Sequence, residues 1–332
     1  MRICCLIALL VLGALAVLLA GCGDDSPGAD AGAANVDLSR TMGVTLDGRV
    51  GPANAPIRLA EEKGYFEDLG LDAWAGSPQG PEKPTLYVST RTNAFGVTQL
   101  PQLLIARDKG APLVAIGSLV PEATAAMIWL EGSRIRSIAD LKGKTIAIPG
   151  VAFQKPMLES VLRQAGLTLA DVEIKRVGYE LVSVLMKGRA DAIFGGSWNV
   201  EGAALEADGA EPVIEPVGTL GVPAYDELVL IARRDFVESE PELARAFVDG
   251  IRRGVETELR DSAAAVKLIE ETIESSPESS RKATEAGVEA TLPLLSGPGE
   301  VDPQRVEELA AWMRKEGMIR RELPASAVIV DP

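Results

Sequence analysis

The chain has 332 residues, 47% hydrophobic and 24% charged, a globular composition long enough for two cores. Its net charge of −15, with no basic run, repels phosphate backbones and excludes nucleic acid as a partner. It has no histidine, which removes Ser-His and Cys-His catalysis and every metal site built on imidazole.

From the start of the chain, Arg2 supplies a positive charge and Ile3 to Ala20 form an apolar run without charge. The run is just long enough to span a bilayer. The small residues at Leu19-Ala20-Gly21-Cys22 favour instead a cleaved signal peptide over 1–22. That ending resembles the bacterial lipoprotein box, which implies lipidation of Cys22 and an extracytoplasmic, membrane-anchored location. Cys4 and Cys5 lie in the leader, so no internal disulfide or thiolate cluster is expected in the mature chain. Residues 23–38, rich in Gly, Ala, Asp and Ser, read as a flexible leash.

Short β-type runs then alternate with helical stretches. The expected strands are Met42–Leu46, Leu86–Ser89, Leu113–Gly117, Ala126–Leu130, Thr145–Ile148, Val172–Val177, Ala192–Gly195, Val213–Val217 and Leu228–Ala232. Helices over Pro52–Lys63, Thr98–Lys109, Lys155–Ala165 and Leu181–Lys187 each stop at a glycine. Beyond Asp235, Pro241–Leu259, Ala263–Ser275, Ser279–Ala290 and Pro303–Lys315 read as amphipathic helices packing back on an earlier lobe. The alternation predicts an α/β fold with mainly parallel sheets flanked by helices. Ligands in such sheets bind beyond the carboxyl ends of strands. The loops Asp47–Asn54, Thr90–Gln99, Pro149–Gln154, Gly178–Glu180, Gly195–Glu201 and Val217–Glu227 are therefore the places to look.

Those loops carry a resemblance. Ala60-Glu61-Glu62-Lys63-Gly64-Tyr65-Phe66 with Gly70-Leu71-Asp72, then Phe95-Gly96-Val97, Leu141-Lys142-Gly143-Lys144 and Gly188-Arg189-Ala190-Asp191-Ala192, stand in the order of type II periplasmic solute-binding proteins of ABC importers. Phe153-Gln154-Lys155-Pro156, Gly195 to Gly202 and Gly221 to Leu228 resemble the thiamine-precursor, pyrimidine-binding (NMT1/THI5-like) branch. The resemblance implies a two-lobed Venus-flytrap, with 39–128 plus 230–332 in one lobe and 129–229 in the other. It also implies a pyrimidine ligand passed to an ABC permease, a monomer, and neither cofactor nor metal. The branch has a Trp after the first-strand Asp and an Asn-His loop beyond. Here Asp47 is followed by Gly48-Arg49, and the loop reads Gly51-Pro52-Ala53-Asn54. The related eukaryotic pyrimidine synthases use histidines and a cysteine-rich motif, both missing from this chain.

The expected ligand contacts are Glu201, Trp198, Asn199, Tyr225, Asp47, Asn93, Phe95, Gln99, Phe153 and Gln154. A carboxylate at Glu201 can accept from the amine and the protonated ring nitrogen of an aminopyrimidine, and Trp198 can stack on the ring. The structural alternatives are Asn199 as a helix cap, Trp198 and Phe95 as core, Gln154 at a helix start and Asp47 in a turn. Tyr225 could equally pack beside the lobe crossing. A second ligand class, a sulfonate or other small organic anion, would call on Arg49 or Arg91 and leave Glu201 outside the site.

Overall fold

The computed structural model describes residues 42–77, 82–273, 281–295 and 297–332. The expected leader over 1–22, the lipid-bearing Cys22 and the leash over 23–38 lie outside the described residues. The first stretch of chain runs β1 (Met42–Thr45), α1 (Ala55–Glu62), α2 (Tyr65–Asp68), β2 (Ala73–Gly76), α3 (Lys83–Ser89), β3 (Phe95–Thr98), α4 (Leu100–Asp108) and β4 (Leu113–Val120). The second runs β5 (Ala125–Leu130), β6 (Thr145–Ile148), α5 (Gln154–Gln164), β7 (Glu173–Arg176), α6 (Leu181–Met186), β8 (Ala192–Ser197), a π-helical turn (Trp198–Gly202), α7 (Ala203–Ala207) and β9 (Pro212–Pro216). The chain returns through β10 (Leu228–Arg233) and α8 (Arg234–Ser239) to a tail of α9 (Pro241–Arg260), α10 (Ser262–Ile273), α11 (Arg281–Thr291), α12 (Pro303–Lys315) and α13 (Ala325–Val328).

Two five-stranded sheets result, ordered β2-β1-β3-β10-β4 and β7-β6-β8-β5-β9. β1 runs parallel to β2 and β3, and β6 parallel to β7 and β8. The strand that enters each sheet from the other lobe, β10 or β5, runs antiparallel to both its neighbours. This is the expected two-lobed architecture of mainly parallel sheets flanked by helices. The chain changes sheet between Val120 and Ala125 and between Pro216 and Leu228. Both crossings come a few residues before the expected boundaries, which would cut through β5 and β10.

The edge strand β2 was not among the expected strands, and two expected readings are overturned. Leu86–Ser89 belongs to a helix, α3, not a strand. Pro84 sits in its first turn, and Pro84, Thr85 and Val88 are buried while Leu86 is 44% exposed. That is one face of a helix, and a four-residue window is too short to separate a period of 3.6 from a period of 2. Phe95-Gly96-Val97 is a central strand, β3, buried at every position, rather than part of a loop. Its burial on both faces suits an interior strand, here parallel to β1 and antiparallel to β10, and its glycine obscures the pattern.

The first lobe's core is aromatic at its centre. Phe95 stacks on Phe247 of α9 at 4.0 Å between centroids and meets Phe236 edge-on at 5.4 Å. Each such pair adds about 0.5–1.5 kcal/mol beyond its buried area. α9 lies so close to α1 that a Cβ on Gly254 would stand 2.0 Å from the Pro56 carbonyl oxygen. Only glycine allows that approach.

Candidate functional site

A cleft of about 530 Å³ opens where the carboxyl ends of strands from both sheets converge. The first lobe supplies the loop after β1, Asp47 to Pro52, and Gln99 after β3. The second supplies Pro149, Val151 and Gln154 after β6, Tyr179 and Leu181 after β7, and Ser197, Val200 and Glu201 after β8. The tail closes one side with Ile269 of α10 and Ala283, Thr284 and Gly287 of α11.

The loop after β1 is braced by Asn54. Its Nδ2 donates to Asp47 Oδ1 at 2.9 Å and to the Arg49 carbonyl at 3.1 Å, and its Oδ1 accepts from Gly51 N–H at 2.9 Å. Burial pushes the Asp47 carboxyl above its usual range, against the pull of the Asn54 bond. Opposite it, Glu201 Oε2 accepts from Ser197 N–H at 2.6 Å. Burial raises the Glu201 carboxyl as well, partly offset by backbone N–H bonds from Ser197 and from Glu201 itself. Gln99 points a buried Oε1 with no partner among the described residues.

Arg49 and Tyr179 meet at the mouth. The Arg49 guanidinium lies 5.0 Å from the Tyr179 ring centroid, and each residue comes from a different lobe. Gly48 makes the approach possible, because a Cβ there would stand 2.6 Å from the Tyr179 hydroxyl. Tyr179 is 46% exposed. Its hydroxyl pKa is raised by partial burial and by the negative charge of Asp47, and Arg49 opposes the shift.

Of the expected contacts, Glu201, Asp47, Gln99 and Gln154 line this cleft. Gln154 is spent on the backbone: its Oε1 accepts from Gly150 and Val151 N–H at 3.0 and 2.9 Å. Gly195, at φ 80°, leaves room for that side chain where a Cβ would stand 2.7 Å from its Nε2. The remaining six lie elsewhere. Trp198 is half-buried and packs against the cores of both lobes. Asn199 turns away and donates from Nδ2 to Thr291 Oγ1 of α11 at 2.7 Å. Phe153 and Phe95 are core residues at 3% and 0% exposure. Asn93 stands at the amino end of β3, donates to Thr45 Oγ1, and lines a separate cavity with Arg91 and Asp235. Arg91 pairs with Asp235 at 2.8 Å and does not line the cleft.

Tyr225 is fully buried in the crossing from β9 to β10. In the same crossing, Glu227 Oε2 accepts from Thr124 N–H of the other crossing at 2.8 Å, tying the two together. Burial raises the Glu227 carboxyl to about 6, against these backbone bonds, and the charge of Asp47 adds to the rise. Burial beside Glu227 likewise holds the Tyr225 phenol well above its usual value. The residues not foreseen are Tyr179 and the α10–α11 wall. Tyr179 carried a signal, being one of four tyrosines in a chain only 4% aromatic and lying in a flagged loop. The amphipathic tail carried none.

Comparison with known proteins places this geometry. The family described as NMT1/THI5 like matches residues 52–265. A formylaminopyrimidine-binding protein of Halalkalibacterium halodurans is 30% identical over 290 residues, covering 85% of this chain and 87% of that protein. A 4-amino-5-hydroxymethyl-2-methylpyrimidine phosphate synthase of Schizosaccharomyces pombe is 26% identical and covers 65% of each chain. Among solved structures, the alkanesulfonate-binding protein SsuA of Xanthomonas axonopodis pv. citri, bound to MOPS, superposes with a TM-score of 0.65. It is 18% identical, covers 87% of this chain and 97% of that one, and bears on the fold alone. The match over residues 52–265 spans well over half of the sequence, and the chain belongs to the NMT1/THI5-like family.

Proposed function

We propose that this chain is an extracytoplasmic binding protein that captures an aminopyrimidine of the thiamine-precursor type, catalyses nothing, and passes it to an ABC permease. The observation that carries the reading is the sign of the cleft's interior. Asp47 and Glu201 line it from different lobes, and the one arginine among its described lining residues, Arg49, is exposed. Such a floor asks for a ligand rich in N–H donors. An amine beside a protonated ring nitrogen meets it, each charge-assisted bond contributing roughly 1.5–3 kcal/mol. A sulfonate would set acceptors against acceptors. The 30% identical relative named for formylaminopyrimidine supports the same ligand class. The absence of histidine from the whole chain supports a binding role over the synthase chemistry of the fungal relatives.

The apolar run and Leu19-Ala20-Gly21-Cys22 support a lipid anchor on Cys22. Among the described residues no helix is long and apolar enough to cross a membrane. Calorimetric titration with 4-amino-2-methylpyrimidines, taurine and alkanesulfonates tests the ligand. The pyrimidines should bind, and Glu201→Gln should weaken them at least tenfold, about 1.4 kcal/mol, with an unchanged circular dichroism spectrum. Tight sulfonate binding without pyrimidine binding, or an unaffected variant, would overturn the reading.

A further inference from the structure

The tail helix α11 sends Val288 into the first lobe's core and packs against the second lobe along α7 and the π-helical turn before it. Val288 is 1% exposed among first-lobe side chains. One residue earlier, Gly287 faces the gap: a Cβ there would stand 3.5 Å from Pro52 Cγ of the first lobe and 3.7 Å from the Asn199 carbonyl oxygen of the second. One turn on, Thr291 Oγ1 donates to the Gly287 carbonyl at 2.7 Å and accepts from Asn199 Nδ2 at 2.7 Å, fully buried. Asn199 lies in the π-helical turn that also carries Glu201.

We propose that α11 is the clasp of the closed cleft: through the buried Thr291–Asn199 hydrogen bond it holds the Trp198–Gly202 turn, and so positions Glu201. Thr291 and Asn199 act as positioning residues and do not line the cleft. The same junction carries its own release. Asn199 Oδ1 is buried with no partner among the described residues. Water would satisfy that oxygen once the turn parts from α11, so the bond made at Nδ2 is opposed by the one forgone at Oδ1. Trp198, packed on both cores, shares the seam. A contact balanced in this way lets ligand in the cleft decide whether it stays shut.

Hydrogen exchange on the ligand-free full chain tests the clasp without reference to ligand identity. Thr291→Val keeps the shape and deletes the hydroxyl. Amides of Trp198–Gly202 should exchange at least tenfold faster, with β5 and β8 unchanged, and Thr291→Ser should return them to within threefold of the parent. Gly287→Ala should behave as the parent, because its Cβ meets only ordinary contacts, whereas Gly287→Leu should reproduce Thr291→Val. Unaltered exchange in both Thr291→Val and Gly287→Leu would overturn the proposal, as would loss of protection across the whole second sheet. A parallel titration of the parent with 4-amino-2-methylpyrimidine separates the readings: a clasp that behaves as expected with no pyrimidine binding removes only the ligand assignment.

Discussion

Arg49 and Tyr179 reach across the mouth from separate lobes, so their contact exists only while the cleft is shut. A partly exposed cation–π pair is worth about 0.5–1 kcal/mol, or roughly twofold to fivefold in an equilibrium. Tyr179→Ala should therefore speed dissociation of a bound aminopyrimidine about fivefold in stopped-flow fluorescence, and Tyr179→Phe, which keeps the ring, should stay within twofold. Equal effects of the two would mean that the hydroxyl, not the ring, is what matters. At this scale the sequence was legible where chemistry and position coincide. Asp47, Gln99 and Glu201 each follow the carboxyl end of a strand, where a polar side chain has a cleft to face. Asn93 was misplaced because the strand after it was hidden, which put the amino end of β3 where a carboxyl end was expected. Asn199 lies on an expected loop, but which way a loop side chain turns depends on neighbours distant in sequence, here Thr291.

Among the elements, α9 holds an anomaly its amphipathic pattern does not announce. Glu258 is fully buried, and neither carboxylate oxygen has a partner among the described residues. Burial alone raises its pKa to about 8. The folded protein thus keeps this proton where the unfolded chain, at 4.5, has released it. The stability that results is complete below pH 4.5 and is lost as pH rises through about 8. Thermal melts of the parent should fall across that window. Glu258→Gln should flatten the fall, and Glu258→Met should raise Tm at pH 8 by at least about 2 °C. A parent curve as steep in Glu258→Gln would place the titration elsewhere. Helix boundaries of the tail were otherwise readable, because Pro241 and Pro303 open helices and the apolar stripes run at helical spacing. A carboxylate on the apolar face is the one position where the pattern gives the wrong environment.

For the molecule as a whole, both sheets share one topology, with the entering strand antiparallel in fourth place. The sequence shows no repeat to match it, since strand order is set by pairing and not by residue identity. Because each chain crossing feeds that antiparallel strand, the two crossings run side by side, and Glu227 on one accepts from Thr124 on the other. Asp47 lies near enough to raise Glu227, Tyr225 is held up by it, and Asp226 turns away to Ser118. If parting of the lobes lets water reach Glu227, its carboxyl returns from about 6 toward 4.5. Closure then takes up a proton between those values, and acid favours the shut form by at most about thirtyfold. The folding contribution has the same sign: it is complete below 4.5 and lost as pH rises through 6. Small-angle X-ray scattering of the ligand-free protein should show a smaller radius of gyration at pH 5 than at pH 7.5. Glu227→Gln keeps an acceptor for the Thr124 N–H and removes the charge, so it should give the smaller radius at both values. A variant that still expands between pH 5 and 7.5 would move the proton to Asp47 or Glu201, and the crossing would then be a hinge without a switch.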